Sequence, residues 1–299
     1  MPERRLNRAA LAAQVGLVAL VAGLSLAGCE SGHPTAVVPD GANQSSASAS
    51  RTGDQPISLS PDPRLHQPFA EAIRPEPPAD WQRPPDLTLT SKSVGKLYTE
   101  VVNKWDSIRF TTETGKPIQY SALLDTELGP IEIALRPDLA PNHVRNFVAL
   151  ALVGYYDGLV FERTVHAKSQ EQPEVEVEVI EAGCPIGTGD IGLGSIGYWL
   201  KPEFSKEPHD TGTVGACHGE EPDTAACRFY ITLNKAPFLD GNFTVFGKVT
   251  SGLDIARRIF SLPVRNDPEY PEGDRPEKPV VIRKVTIQTS EAGASHPTP

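Results

Sequence analysis

The chain has few cysteines and no excess of positive charge, and both absences reduce the number of functional classes to which it can belong. Its four cysteines, in 299 residues, lack the paired spacing of a structural zinc site. Cys217, His218 and Cys227 could supply three metal ligands, but no second CxxC or HxxxH pair completes a tetrahedron. The formal net charge is −10, whereas proteins that bind nucleic acid usually carry basic stripes. We therefore expect neither a metal site nor a nucleic-acid partner.

Internal repeats and a nucleotide-binding motif are missing as well. Residues 185–197 read PIGTGDIGLGSIG, a glycine-rich run that could be mistaken for a phosphate-binding loop. The run lacks the Lys-Ser/Thr ending, and it does not open a helix after a strand. The length allows one or two domains. Many of the 29 prolines fall before residue 90, so only part of the chain is expected to be globular.

The N-terminus has the pattern of an export signal. Three arginines within the first eight residues precede an apolar run over 9–27, as in a signal peptide. The LAGC sequence that ends at Cys29 resembles the lipobox of bacterial lipoproteins, in which the signal is removed before the cysteine and the thiol receives a diacylglycerol. We predict a signal peptide over 1–28 and a lipid anchor on Cys29, which places the chain on the extracytoplasmic side of a bacterial membrane. An uncleaved membrane helix is the alternative, because the apolar run is close to the ~20 residues that span a bilayer.

The composition divides the remaining chain into four parts. Residues 29–90 are rich in serine, alanine, glycine and proline and cannot bury enough apolar surface to offset their ordering entropy. We predict a disordered tether there; a docking motif anchored by Trp81 is the alternative. Apolar residues at helical spacing predict a short helix in an extension over 91–118. Strand patterns, with helices predicted over 142–153 and 253–260, predict a mainly β domain over 119–289, followed by a disordered tail over 290–299.

Two stretches of the predicted domain carry a specific resemblance. Residues 229–249 read FYITLNKAPFLDGNFTVFGKV, and residues 155–163 read YYDGLVFER. These closely resemble the cyclophilins, the peptidyl-prolyl cis-trans isomerases, whose chains carry QFFIT-, WLDG-, VFGKV- and FHRV-type segments. The resemblance implies a cyclophilin-like closed antiparallel β-barrel that binds proline-containing polypeptides and needs no cofactor. We expect the protein to be a monomer.

The resemblance also implies which residues form the site. Arg163 matches the catalytic arginine of the FHRV-type motif; on composition alone it would indicate an ordinary strand arginine paired with Glu162 or another carboxylate. Rotation about an X–Pro amide must overcome a resonance barrier of ~18–20 kcal/mol, and a fixed guanidinium can stabilise the twisted amide. The positions that match the family's substrate pocket are Val179, Glu181, His218, Gly219, Arg228, Tyr230, Phe238, Leu239 and Phe243.

Several pocket positions depart from the family pattern. Glu181 and Arg228 replace two glutamines, while Phe238 and Phe243 replace a tryptophan and a histidine. We predict a charged cluster of Glu181 with Arg163 and Arg228, which would orient Arg163 and offset part of its charge. The sequence therefore favours a prolyl isomerase of reduced activity that assists the folding of exported proteins. A non-catalytic proline-peptide-binding or scaffold domain is the alternative, and ordinary core packing is the alternative role of the apolar pocket residues.

Two of the cysteines flank a loop that, in cyclophilins, begins and ends at neighbouring strands. These are Cys217 and Cys227. An extracytoplasmic compartment permits oxidation, so we predict a disulfide between them, which requires Cα atoms within about 7 Å. Cys184 would then remain a free thiol.

Overall fold

The computed structural model describes residues 62–78, 83–168, 176–189, 194–265 and 274–291. Within them, eight strands form one antiparallel sheet in the order β3-β4-β6-β5-β7-β2-β1-β8. The strands are β1 (Ile118–Thr126), β2 (Gly129–Leu135), β3 (Phe161–Lys168), β4 (Glu176–Ala182), β5 (Thr213–Ala216), β6 (Phe229–Thr232), β7 (Val245–Ser251) and β8 (Ile282–Glu291). The α-helices are α1 (Phe69–Ala72), α2 (Val94–Trp105), α3 (Pro141–Leu152) and α4 (Leu253–Phe260). Short 3-10 helices cover Pro63–His66, Pro222–Thr224 and Pro237–Leu239.

The mainly β fold follows from alternation along the strands. In β1 the side chains of Tyr120, Ala122 and Leu124 are buried, while the residues between them are partly exposed. Successive residues of a strand point to opposite faces, so one face of the sheet lies on the core. Helix α3 packs on this face, and the ring of Phe147 lies 5.5 Å from that of Phe229. The mainly β character and the helices predicted near residues 142–153 and 253–260 are confirmed.

The sheet curls, but the predicted closed barrel is an open sheet. Its two edge strands, β3 and β8, form no ladder with each other in the described part of the chain; they meet at an isolated bridge between Val160 and Val281. Farther along β3, the backbone N–H of Thr164 donates to the carbonyl oxygen of Asp274 at 2.7 Å. A loop residue therefore occupies the edge that β8 would need for closure.

The segment before α2 is folded, which corrects part of the predicted tether. The ring of Phe69 packs edge-on against Trp105 at 5.1 Å, Tyr198 at 5.1 Å and Tyr98 at 6.0 Å. The indole N–H of Trp105 donates to the carbonyl of Gln67 at 3.0 Å. These aromatic partners come from distant parts of the chain, so the local composition of residues 62–78 and 83–90 gave no indication of burial.

The elements from α2 onward lie between Val94 and Glu291. The helix predicted in the extension over 91–118 is α2, and the strands of the domain run from Ile118 to Glu291. The predicted signal peptide, Cys29, Trp81 and most of the predicted tail lie outside the described residues. Among the described residues, none of the helices is long and apolar enough to cross a membrane.

Candidate active site

Three adjacent strands place the predicted site residues on one face of the sheet. Arg163 of β3 lies directly opposite Glu181 of β4, and Glu181 lies opposite Tyr230 of β6. Directly opposite residues of an antiparallel pair have neighbouring side chains on the same face. Val179 precedes Glu181 by two residues and therefore shares this face. The ladder thus brings a charged row and an apolar row together, away from the main core.

The charged row is a continuous network of ion pairs. The Arg163 guanidinium donates through Nη1 to Glu181 Oε2 at 3.2 Å and through Nε to Asp274 Oδ2 at 2.7 Å. Glu181 Oε2 also accepts a hydrogen bond from Arg228 Nη2. Arg228 Nε in turn donates to Glu162 Oε1 at 3.3 Å. The predicted contacts of Glu181 with both arginines are present, and Glu162 and Asp274 extend the cluster at its two ends.

The charges of this network are buried, so their loss of solvation is unfavourable. Arg163 is 5% exposed and Glu181 is 1% exposed, so water contributes little to the solvation of either charge. Burial raises the pKa of Glu162 to about 7, although Arg228 and the backbone N–H of Cys184 act in the opposite direction. Burial also opposes the charge on Arg163, but Glu181 and Asp274 outweigh it and raise the pKa of Arg163. The two guanidinium groups therefore stay charged.

Two carboxylate oxygens of the network remain unsatisfied. Glu162 Oε2 and Asp274 Oδ1 are buried and have no hydrogen-bond partner among the described residues. A buried acceptor without a donor costs about 1–3 kcal/mol. A proton on Glu162 would remove a buried negative charge, which agrees with its raised pKa.

One glycine of the glycine-rich run, Gly189, lies against the Arg163 side chain. Gly189 has a φ of +70°, and a Cβ placed there would lie 2.6 Å from Arg163 Cδ. Only glycine fits this conformation at so close an approach. Gly189 lies against the methylene groups of Arg163 and Asp274 binds its guanidinium, which agrees with the low exposure of this side chain.

The apolar row forms a second hydrophobic cluster beside the charged one. Its buried members are Val165, Val177, Val179, Cys217, Tyr230, Ala236, Leu239 and Phe243, with the half-buried Phe238 packed against them. The structure thus brings together all five apolar residues that the resemblance places in the substrate pocket. Their side chains pack on one another, so the pocket walls are in mutual contact.

His218 and Gly219 lie at the rim of this cluster. The His218 ring stacks on Phe243 at 4.2 Å. Its nitrogens lie 2.7 Å from the Gly219 carbonyl oxygen and 2.9 Å from the Asn242 carbonyl oxygen. Burial lowers the pKa of His218, and these carbonyl groups act against that effect. The backbone N–H of Gly219 donates to Thr224 Oγ1 at 2.7 Å, which holds the loop after β5.

The predicted disulfide between Cys217 and Cys227 is wrong in this structure, where both thiols and that of Cys184 are free and buried. The reason is strand geometry. Cys217 belongs to the pocket cluster, whereas Cys227 belongs to the main core on the other face of the sheet. Burial raises the pKa of Cys227 to about 12, so this thiol is protonated at neutral pH.

Three polar residues of the site were not predicted from the sequence. Asp274 lies 111 residues after Arg163 along the chain, and no local motif marks it. His209 and Asp240 form a hydrogen-bonded pair with Nδ1 and Oδ1 at 2.8 Å, and His209 Nε2 lies 2.8 Å from the Tyr230 hydroxyl. Asp240 stands within the quoted FLDG segment, but its partner could not be read from that segment.

Comparison with known proteins assigns this fold and site to a family. The family model described as cyclophilin type peptidyl-prolyl cis-trans isomerase/CLD matches residues 122–287, which is more than half of the chain. The chain therefore belongs to the cyclophilin-type peptidyl-prolyl cis-trans isomerase family, and the resemblance seen in the sequence is confirmed.

Two sequence relatives agree with this assignment. Peptidyl-prolyl cis-trans isomerase ppi1 of Schizosaccharomyces pombe is 37% identical over 163 residues, which cover 54% of this chain and 95% of that protein. A probable peptidyl-prolyl cis-trans isomerase of Brucella suis is 36% identical over 140 residues, which cover 46% of this chain and 70% of that protein. A crystal structure of a Cryptosporidium parvum cyclophilin type peptidyl-prolyl cis-trans isomerase matches with a TM-score of 0.48 and 22% identity, covering 57% of this chain and 99% of that one.

Proposed function

We propose that this domain isomerises X–Pro bonds of exported proteins with reduced activity, as a lipid-anchored extracytoplasmic enzyme. The observation that carries the proposal is the position of Arg163 beside an apolar cluster on one face of the sheet. Val165 follows Arg163 by two residues on β3 and belongs to that cluster. A guanidinium and an apolar pocket are thus neighbours, which is the arrangement that proline isomerisation needs.

The proposed reaction breaks no covalent bond. The apolar cluster receives the proline ring, and the amide before the ring then rotates and loses resonance. As resonance is lost, the proline nitrogen regains a lone pair, and the guanidinium of Arg163 can donate a hydrogen bond to it. A preorganised donor of this kind stabilises the transition state more than the ground state. No nucleophile takes part.

The ion pairs of Arg163 are the reason to expect reduced activity. All three of its guanidinium nitrogens donate to carboxylates, two of them to Asp274 and one to Glu181. A substrate amide is a neutral acceptor, whereas each carboxylate adds the attraction between opposite charges to its hydrogen bond. The substrate therefore competes with stronger acceptors for the same donors.

Binding without turnover is the second candidate function. The observation that favours it is the burial of the site, because Tyr230 and Leu239 have no exposed surface and Phe243 is 1% exposed. A proline ring can enter only when these walls separate. A domain that holds proline-containing chains as a scaffold would need this opening but no free guanidinium.

Exchange spectroscopy separates the two candidates. An Ala-Pro-containing peptide added to the purified domain should show line broadening and cis-trans exchange cross-peaks faster than the uncatalysed tens to hundreds of seconds. Binding shifts without accelerated exchange would leave the scaffold function in place.

The proposed anchor rests on the sequence around Cys29 and has its own test. Labelled palmitate supplied to producing bacterial cells should enter the wild-type protein and not the Cys29→Ala variant. Attachment through a diacylated and further acylated cysteine gives stable membrane binding. Absence of label from the wild type would contradict the lipoprotein proposal without affecting the proposed isomerase activity.

A further inference from the structure

Tyr230 forms the floor of the apolar cluster, and its hydroxyl is the polar group buried there. The ring is fully buried and meets the edge of Phe243 at 5.9 Å. A buried hydroxyl needs a hydrogen-bond partner, and His209 Nε2 supplies one at 2.8 Å. The hydroxyl thus points out of the pocket, toward the loop before β5, while the ring remains in the pocket floor.

The space for this hydroxyl is built into the sheet. Gly215 of β5 pairs directly with Tyr230 of β6. A Cβ at position 215 would lie 2.3 Å from the Tyr230 hydroxyl oxygen and 2.3 Å from Cζ. Any other residue at 215 would displace the tyrosine ring. The absence of a side chain at Gly215 therefore leaves the space that the Tyr230 hydroxyl occupies.

His209 connects the pocket floor to the pocket wall. Its backbone N–H and its Nδ1 both approach Asp240 Oδ1, at 2.7 and 2.8 Å. A carboxylate accepts and does not donate, so Nδ1 carries the ring proton and Nε2 accepts from the Tyr230 hydroxyl. The carbonyl oxygen of His209 also accepts from the N–H of Ala236 at 2.8 Å. His209 therefore holds both ends of the loop segment that carries Leu239.

We propose that Asp240, His209 and Tyr230 form a positioning relay that fixes the wall of the proline pocket against its floor. The inference rests on the proposed function and concerns the same pocket. Leu239 lies between the two points at which His209 holds the loop, and Phe238 stands next to it at the pocket border. The relay sets the distance between Leu239 and the Tyr230 ring, and hence the fit of the substrate's proline ring. It does not touch Arg163, so it governs binding of the peptide and not rotation of the amide.

Removal of the Tyr230 hydroxyl tests this relay with a matched control. Tyr156→Phe deletes an equally buried hydroxyl, which donates to the Cys227 carbonyl at 3.1 Å in the main core. Tyr230→Phe should raise the KM and the Kd of an Ala-Pro-containing peptide about five- to tenfold, the typical worth of one hydrogen bond, with kcat within about twofold. Tyr156→Phe should change neither constant. Equal effects of both variants on KM and Kd would overturn the relay.

A second pair of variants tests the relay in case the Tyr230→Phe protein does not fold. Asp240→Ala should raise KM and Kd, whereas Asp240→Asn keeps an oxygen acceptor for His209 Nδ1–H and should restore most of the affinity. Equal KM and Kd values for the alanine and asparagine variants would contradict the proposal.

The peptide Kd separates this inference from the proposed function. If the wild type binds the peptide without accelerating exchange, the isomerase proposal fails, and the Kd comparison still decides the relay. Nitrogen-15 shifts of the His209 ring give a readout that does not depend on peptide. They should report a protonated Nδ1 in the wild type and a changed Nε2 environment in Tyr230→Phe; an Nε2-protonated ring in the wild type would refute the relay.

Discussion

Asp274→Asn should increase the isomerase activity, because Asp274 restrains the proposed catalytic guanidinium. Asp274 Oδ2 accepts hydrogen bonds from two nitrogens of Arg163, with Nε at 2.7 Å. The carboxylate adds to these hydrogen bonds the attraction between opposite charges, about 4 kcal/mol at about 4 Å with an effective dielectric constant of about 20, of which desolvation of the buried pair offsets a large part. An asparagine keeps the shape and an oxygen acceptor but loses the charge. Arg163 should therefore reach the substrate amide at a cost lower by about 1–1.5 kcal/mol, which raises kcat/KM about five- to tenfold.

The assay for this prediction is accelerated cis-trans exchange of an Ala-Pro-containing peptide. Asp138→Asn is a suitable control, because Asp138 forms a similar two-nitrogen pair with Arg136 at the protein surface, outside the site. The control should leave kcat/KM unchanged. A folded Asp274→Asn protein whose kcat/KM falls or stays constant would refute the reasoning, since Asp274 would then orient Arg163 for catalysis instead of restraining it.

Further predictions concern the buried charges and the folded N-terminal segment. Glu162 has a pKa of about 7 in the folded protein against an ordinary value of 4.5, so its contribution to stability is complete below pH 4.5 and is lost as the pH rises through 7, by up to about 3 kcal/mol. Urea unfolding at pH 5 and pH 8 should show that Glu162→Gln removes this loss. If the difference in free energy of unfolding between wild type and variant is the same at both pH values, the raised pKa of Glu162 is contradicted. Glu181→Gln should raise the exchange rate by weakening a competitor for Arg163, and should lower the free energy of unfolding by about 3 kcal/mol because Arg228 loses a buried ionic partner; a slower rate would contradict the first part. Phe69→Ala should lower the free energy of unfolding by about 3 kcal/mol with unchanged activity, and a loss below 1 kcal/mol in thermal or urea unfolding would mean that the segment before α2 adds nothing to the fold.

The family and the position of the proposed catalytic arginine could be predicted from sequence because they lie in continuous motifs. Arg163 follows directly on the YYDGLVFE run, and Leu239 and Phe243 stand within residues 229–249. The contacts of Glu181 with Arg163 and Arg228 could also be predicted, because strand register in a known fold places these positions together. Local sequence and register are the two kinds of information that a single chain provides directly.

The remaining features depend on contacts between segments far apart in the chain. Asp274 reaches Arg163 across 111 residues, and Phe69 packs on rings from α2 and from the loop after β4, so neither contact leaves a local pattern. The predicted disulfide failed for a different reason. Cys217 and Cys227 stand at the ends of neighbouring strands, but their side chains point to opposite faces of the sheet. Two thiols can form a disulfide only when they lie on the same face.

The most direct test of the central claim compares the wild-type domain with Arg163→Ala in peptide exchange. Loss of one preorganised electrostatic donor typically lowers a rate ~10²–10³-fold. The wild-type domain, for which we propose a reduced activity, should therefore lose most of that activity in Arg163→Ala. Arg163→Lys should fail as well, because an ammonium cannot replace the planar guanidinium. Peptide Kd values and unfolding curves of the variants provide the check on folding and binding. The account predicts wild-type exchange well above that of Arg163→Ala at similar peptide affinity; equal exchange rates for the two proteins would contradict it and leave a proline-peptide-binding domain.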